Sequence, residues 1–155
     1  MELTRRRALA VTAATAAPIV VLDQLTKWWA LESLSDGARH VFWTLDLRLT
    51  FNSGASFSSF PGLTPYLTAA GVVLVGVLVL MSGSATGTNV AVCLGVMLGG
   101  ALGNLTDRLF RDHGGAVIDF IDFGWWPIFN VADIALVCGA LLLVIVSARH
   151  EAAKR

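Results

Sequence analysis

Two aspartates head the residues that could do chemistry in this chain. Asp119 stands in the apolar run Val117-Ile-Asp-Phe-Ile-Asp-Phe123, and Asp133 follows Asn130 at the start of another apolar segment. Two close carboxyl groups sharing one proton can hydrolyse an amide. The ionised member draws a proton from water while the protonated member hydrogen-bonds the carbonyl under attack. Such a pair titrates as a unit, so neither role belongs to one residue. The other ionisable and amide residues recur at helix-face spacing: Asp23 with Lys27, Asn104 with Asp107 and Arg108, and Asn130 with Asp133. Asp107 is a rival for the second acid. A hard divalent ion on Asp119, Asp122 and Asp133 is a further reading. There is no Cys-x-x-Cys and no His-Glu-x-x-His, so thiol and zinc chemistry have no starting point, and two acids require neither metal nor cofactor.

The blander assignments compete at several positions. Asp23 and Lys27 read equally well as an ion pair near a membrane surface, with Lys27 reaching outward along its stem. Asn104, Asp107 and Arg108 could be glue between helices. Asp122 is expected to be an ordinary solvated loop acid. Cys93 and Cys138 lie inside apolar runs and read as small hydrophobes. His40, His113 and His150 fall in loops or the tail and are given no chemical role.

The elements that must position these residues are membrane spans. The 155 residues are 55% hydrophobic and only 14% charged, with a mean hydropathy of +0.71. A soluble domain of this size could not bury that much apolar surface. Net charge is zero, which implies no nucleic-acid partner. Four segments reach the roughly 20 apolar residues a spanning helix needs, at about 8–30, 63–81, 88–105 and 128–147. The expected fold is therefore a single all-α membrane domain over 1–155. Its outer loops are 31–62 and 107–127. From Thr44 the first of these alternates in the strand manner, with Leu45, Leu47, Leu49 and Phe51 opposite Asp46, Arg48 and Thr50, which predicts a small sheet on the outer surface.

Arg5, Arg6 and Arg7 precede the first span, and Arg149, Lys154 and Arg155 follow the last, so both termini are expected in the cytoplasm. The bias is moderate, because the outer loops also carry Arg39, Arg48, Arg108 and Arg111. The basic, alanine-rich start also has the look of a cleavable export signal ending near Ala17. Against cleavage, the apolar run continues through Pro18-Ile-Val-Val-Leu22 into Asp23. Following each span by its direction brings every polar pair to the outer boundary of the bilayer and none to its middle. A small transporter or channel subunit, the main alternative, would place them along a through-path. Gly95, Gly99 and Gly103 read as a close-packing helix face rather than a phosphate loop.

Five islands, Asp23-Gln-Leu-Thr-Lys27, Asn52-Ser-Gly-Ala-Ser-Phe57, Gly99-Gly-Ala-Leu-Gly-Asn-Leu-Thr-Asp-Arg108, Val117-Ile-Asp-Phe120 and Phe129-Asn-Val-Ala-Asp133, occur in order over nearly the whole chain. In this they resemble the prokaryotic lipoprotein signal peptidases, or type II signal peptidases. The resemblance implies four membrane helices with a small extracytoplasmic sheet that cradles the substrate. It implies an aspartyl endopeptidase of the cell membrane, acting at the extracytoplasmic face. The substrate would be a prolipoprotein cut just before a diacylglyceryl-modified cysteine, with membrane lipid around it and globomycin-type inhibitors as ligands. Asp119 and Asp133 match the family's catalytic pair. Asn104, Asp107, Arg108 and Asn130 would orient substrate and dyad, Asp23 and Lys27 would brace the site, and Asn52 with Gly54 would hold a turn near the cleavage point. A monomer is expected.

Overall fold

The computed structural model describes residues 4–54 and 63–152. Four helices, each long and apolar enough to cross a membrane, are joined to one small sheet. They are α1 (Arg5–Ser33), α2 (Thr64–Gly83), α3 (Thr88–Phe110) and α4 (Val131–Ala152); the strands are β1 (Arg39–Phe42), β2 (Leu45–Asn52) and β3 (Val117–Asp122). The chain is thus a multi-pass membrane protein of all-α class with a three-stranded antiparallel sheet. Lys154, Arg155 and the Ala55-Ser-Phe57 part of the second motif lie outside the described residues.

α3 is the hub of the bundle and the helix with the largest buried share. It packs against α1, α2 and α4, whereas α2 makes no contact with α4 among the described residues. Glycine permits the close approach. A Cβ on Gly95 would stand 2.7 Å from the Thr12 carbonyl oxygen, and one on Gly99 would stand 2.9 Å from that of Ala16. One turn further, a Cβ on Gly103 would meet the Asp23 carboxylate at 2.5 Å. These three glycines form one face against α1. Gly100 and Gly139 do the same between α3 and α4. Without water to drive helices together, such backbone contact is what holds a membrane bundle.

The sheet has the order β1-β2-β3. β2 pairs with β3 so that Thr50 faces Asp119 and Asn52 faces Val117, with an irregularity between Leu47 and Thr50. Leu34 and Ala30 at the end of α1 bury Phe120 of β3, with Leu47, Leu49 and Val131 around them. This apolar knot fixes the sheet to the ends of α1 and α4. The edge of β3 not taken by β2 is covered by Phe129, which bridges to Ile121. That pairing keeps 128–130 extended and delays α4 to Val131, three residues later than the span expected from 128. At the other boundary α3 continues to Phe110, well past 105, so Asp107 and Arg108 are helical rather than in a loop.

Candidate active site

Asp107 anchors the deep layer of the site. Its carboxylate meets Lys27 Nζ at 2.8 Å and Arg111 Nε at 3.1 Å. It also accepts the Gln24 side-chain amide and the backbone amide of Ile118, both at 3.1 Å. Lys27 Nζ reaches Asp23 at 2.9 Å and the Asn104 carbonyl oxygen at 3.0 Å as well, so its three protons have three acceptors. Asp23 in turn accepts the backbone amide of Ala132 at 3.0 Å. Asp23, Lys27 and Asp107 are fully buried. Lys27 therefore does not reach outward to the membrane surface; it turns inward because two carboxylates await it, and an unpaired acid there would be far costlier. Two carboxylates and two cations (Lys27 and Arg111) make this layer electrically neutral.

The outer layer carries Asp119 and Asp133. Asn104 connects the layers: its oxygen takes the Lys27 proton, and its amide nitrogen donates to Asp133 at 2.8 Å. Asn130 then joins the two acids. Its side-chain nitrogen donates to Asp119 at 2.7 Å, and also to Asn104 at 3.0 Å and the Ile118 carbonyl at 3.2 Å. Its side-chain oxygen accepts the Asp133 amide at 3.0 Å, while Asp133 accepts the Asn130 amide at 3.2 Å. This reciprocal capping box starts α4, so Asn130 is the cap of the helix rather than a member of its first turn. The second oxygen of Asp119 receives the Asn52 amide at 2.9 Å. Asn52 meanwhile accepts the Gly54 backbone amide at 2.9 Å, and Gly54 has a φ of +95°, which glycine adopts readily. The turn expected at Asn52 and Gly54 is present and is tied directly to Asp119.

Asp119 is buried, 2% exposed. Burial, seconded by the Asp133 charge, holds its carboxyl up at about 6 although the Asn52 and Asn130 amides pull the other way. Arg108 donates to the Gly115 carbonyl at 3.0 Å and has Asp119, Asp107 and Asp133 as its charged neighbours. One proton on the dyad would leave this outer layer neutral too. Among the described residues no group of three or more His, Cys, Asp or Glu side chains is set to hold a metal ion.

Asp23, Lys27, Asn52, Gly54, Asn104, Asp107, Asp119, Asn130 and Asp133 lie in this one network, Arg108 stands beside it on the Gly115 carbonyl, and Asp122 is not the solvated acid expected. It is buried at 6%, accepts the Gly124 amide at 2.7 Å and pairs with Arg48 at 3.4 Å, because the chain turns at Gly124 and returns along β3 at Phe129. Two participants were missed, Gln24 and Arg111. Gln24 bonds Asp23, Gly103 and Asp107, and accepts Arg111 at 3.0 Å. The spacing of Arg111, i+4 from Asp107, was a usable signal.

Asp119 opens into a groove of about 570 Å³ on the sheet, whose lining includes Arg48, Thr50, Asn52, Asp122 and Trp126. A buried acid with a raised pKa, a second acid one amide away and a groove that opens onto the first together suit hydrolysis of a peptide bond.

A family model described as Signal peptidase (SPase) II matches residues 15–149. The chain is 44% identical to the lipoprotein signal peptidase of Rhodococcus jostii over 83% of its length and 68% of that protein's. It is 45% identical to that of Mycobacterium avium, over 91% and 80%, and 40% identical to that of Syntrophomonas wolfei, over 82% and 85%. A bacterial membrane enzyme solved by the in meso method at 2.3 Å superposes with a TM-score of 0.79 at 27% identity, covering 94% of this chain and 92% of its own. With the family model matching most of its length and the fold alike, the chain belongs to the signal peptidase II family of membrane proteases.

Proposed function

We propose that this protein is an aspartyl endopeptidase that removes the signal peptide from diacylglyceryl-modified prolipoproteins, cutting just before the lipid-modified cysteine. Asp119 and Asp133 are the catalytic pair. The observation that carries this reading is Asn130, whose side-chain nitrogen donates to the Asp119 carboxylate while its backbone amide donates to the carboxylate of Asp133. Both termini lie in the cytoplasm, the spans and loops follow the helix boundaries above, and the site faces outward. The protein works as a monomer in contact with membrane lipid and is blocked by globomycin-type inhibitors.

The dyad holds one proton between its two acids. Water between substrate and dyad gives a proton to the ionised acid as its oxygen bonds the scissile carbonyl carbon. The protonated acid hydrogen-bonds the carbonyl oxygen and stabilises the charge developing there. The tetrahedral intermediate collapses as the C–N bond breaks, and a dyad proton passes to the departing amine of the cysteine. A signal peptide carboxylate and a lipidated cysteine with a free α-amine result. Asn104 and Asn130 hold the acids, Arg108 offers its remaining donors to a substrate carbonyl or ester oxygen, and Asn52 with Gly54 fixes the turn beside the cut. Asp23, Lys27 and Asp107 brace the floor. The interfacial siting suits a substrate whose apolar helix and lipid anchor are both held at that depth.

Purified protein in liposomes should cleave a diacylglyceryl-modified precursor peptide, with and without excess chelator. Asp119→Asn and Asp133→Asn should each abolish turnover while remaining folded. If Asp107→Asn abolished cleavage and an equally folded Asp119→Asn kept it, the pairing would be wrong.

A further inference from the structure

The groove beside Asp119 carries a charge that the reaction does not use. Arg48 on β2 is half exposed, and its only partner among the described residues is Asp122, through Nε at 3.4 Å. The terminal guanidinium nitrogens meet no partner among the described residues. Asp122 itself is nearly covered, its side chain 9% exposed against 54% for Arg48. Asp46, cross-strand from Asp122, is engaged by His40 at 2.8 Å. Among the described residues that line the groove Arg48 is the sole cation, and its guanidinium is the exposed member of the pair with Asp122. At the other end stand Asn52 and Asp119, where the bond is cut on the reading above.

Among the described residues none that lines the groove belongs to a membrane helix; they come from β2, β3 and the segment before α4. An apolar signal segment gains nothing by leaving lipid for such a surface. The part of the substrate that must leave the bilayer is the chain after the lipidated cysteine. We infer that Arg48 binds the first residues following the cleaved bond and makes the enzyme select for acidic over basic side chains there. This inference rests on the proposed peptidase function and assigns Arg48 a specificity role, with the exposed guanidinium as recognising group.

The test uses full-length protein in liposomes of neutral lipid and three diacylglyceryl precursor peptides that differ only at the two positions after the cysteine: glutamate, serine or lysine. Wild type should favour glutamate over lysine in kcat/KM by about two- to five-fold at low salt, as befits one exposed ion pair, and the preference should shrink at high salt. Arg48→Glu should reverse the order, Arg48→Gln should flatten it, and Arg48→Lys should retain it. Because removing Arg48 strips Asp122 of its partner, the Arg48→Gln/Asp122→Asn pair of changes separates binding from folding and should also be flat. Equal cleavage of all three peptides by wild type, or a uniform slowing by Arg48→Glu with the order kept, overturns the inference. Cleavage of none of them by wild type would instead remove the peptidase reading, and this inference with it.

Discussion

Asn130 and Asp133 cap each other across the start of α4, Oδ1 of Asn130 taking the Asp133 amide at 3.0 Å and Oδ2 of Asp133 taking the Asn130 amide at 3.2 Å. The same asparagine donates to Asp119 at 2.7 Å. Helix initiation and dyad geometry therefore depend on one side chain, and substitutions can separate the two jobs. Serine caps about as well as asparagine but is too short to reach Asp119. Asn130→Ser should keep most of the thermal stability and lose about 100-fold in kcat, the scale of a misplaced catalytic group. Asn130→Ala should lose both activity and about 1 kcal/mol or more of stability. Thermal melts in detergent alongside peptide cleavage check this; an active Asn130→Ser would count against the linkage.

The Lys27 layer is neutral as built, and Asp23, Lys27 and Asp107 in it are fully buried. Lys27→Met removes the cation from between Asp23 and Asp107 and leaves two buried carboxylates without the charge they share. A loss of about 3–5 kcal/mol is expected, read as a large drop in melting temperature or in yield of folded protein. A Lys27→Met protein as stable as wild type would mean that the layer tolerates charge imbalance.

Gly103 and Gly76 give a paired test of packing. A Cβ on Gly103 would stand 2.5 Å from Asp23 Oδ2, whereas nothing lies within 4 Å of one on Gly76. Gly103→Ala should cost about 1–3 kcal/mol and depress cleavage by shifting Asp23. Gly76→Ala should be neutral or slightly stabilising, since alanine is the better helix former. Melting curves of both proteins decide it.

Asp119 makes stability depend on pH. Its carboxyl titrates at about 6 in the folded protein against 3.8 ordinarily, mainly because it is buried. The folded state thus holds a proton that the unfolded state has released. That contribution, at most about 3 kcal/mol, is complete below the ordinary value and is lost as pH rises from about 4 to about 7. Wild-type melting temperature should fall across this window more steeply than that of Asp119→Asn. Parallel slopes would show that Asp119 is not held protonated.

Much of this site was legible because a membrane span makes polar residues conspicuous. Asp23, Lys27, Asn104, Asp107 and Asp133 could be placed on faces and at a common depth by spacing alone. What spacing could not supply was the partner on the other side of a gap. Gln24 joins the network only once α1 and α3 are face to face, and so does the second bond of Arg111, to Gln24, although its i+4 pairing with Asp107 does not. Asp122 is buried because the chain beyond it folds back, and α4 starts late because the Phe129 backbone is taken by Ile121. Trp43 holds a φ of +52° in the two-residue turn between β1 and β2, where a glycine or asparagine would have announced the bend.

The glycine face of α3 has a mechanical result. Gly95, Gly99 and Gly103 set α1 and α3 backbone against backbone, and side chains there have no slack to take up. α2 touches α3 and α1 but not α4. When lipid tails shorten or lengthen around the protein, tilt is the cheap response, and α2 is the helix free to make it. Sliding α1 along α3 would drive Gly103 into Asp23. The acid cluster is in this way insulated from bilayer thickness, riding on a rigid pair while its neighbour absorbs the strain.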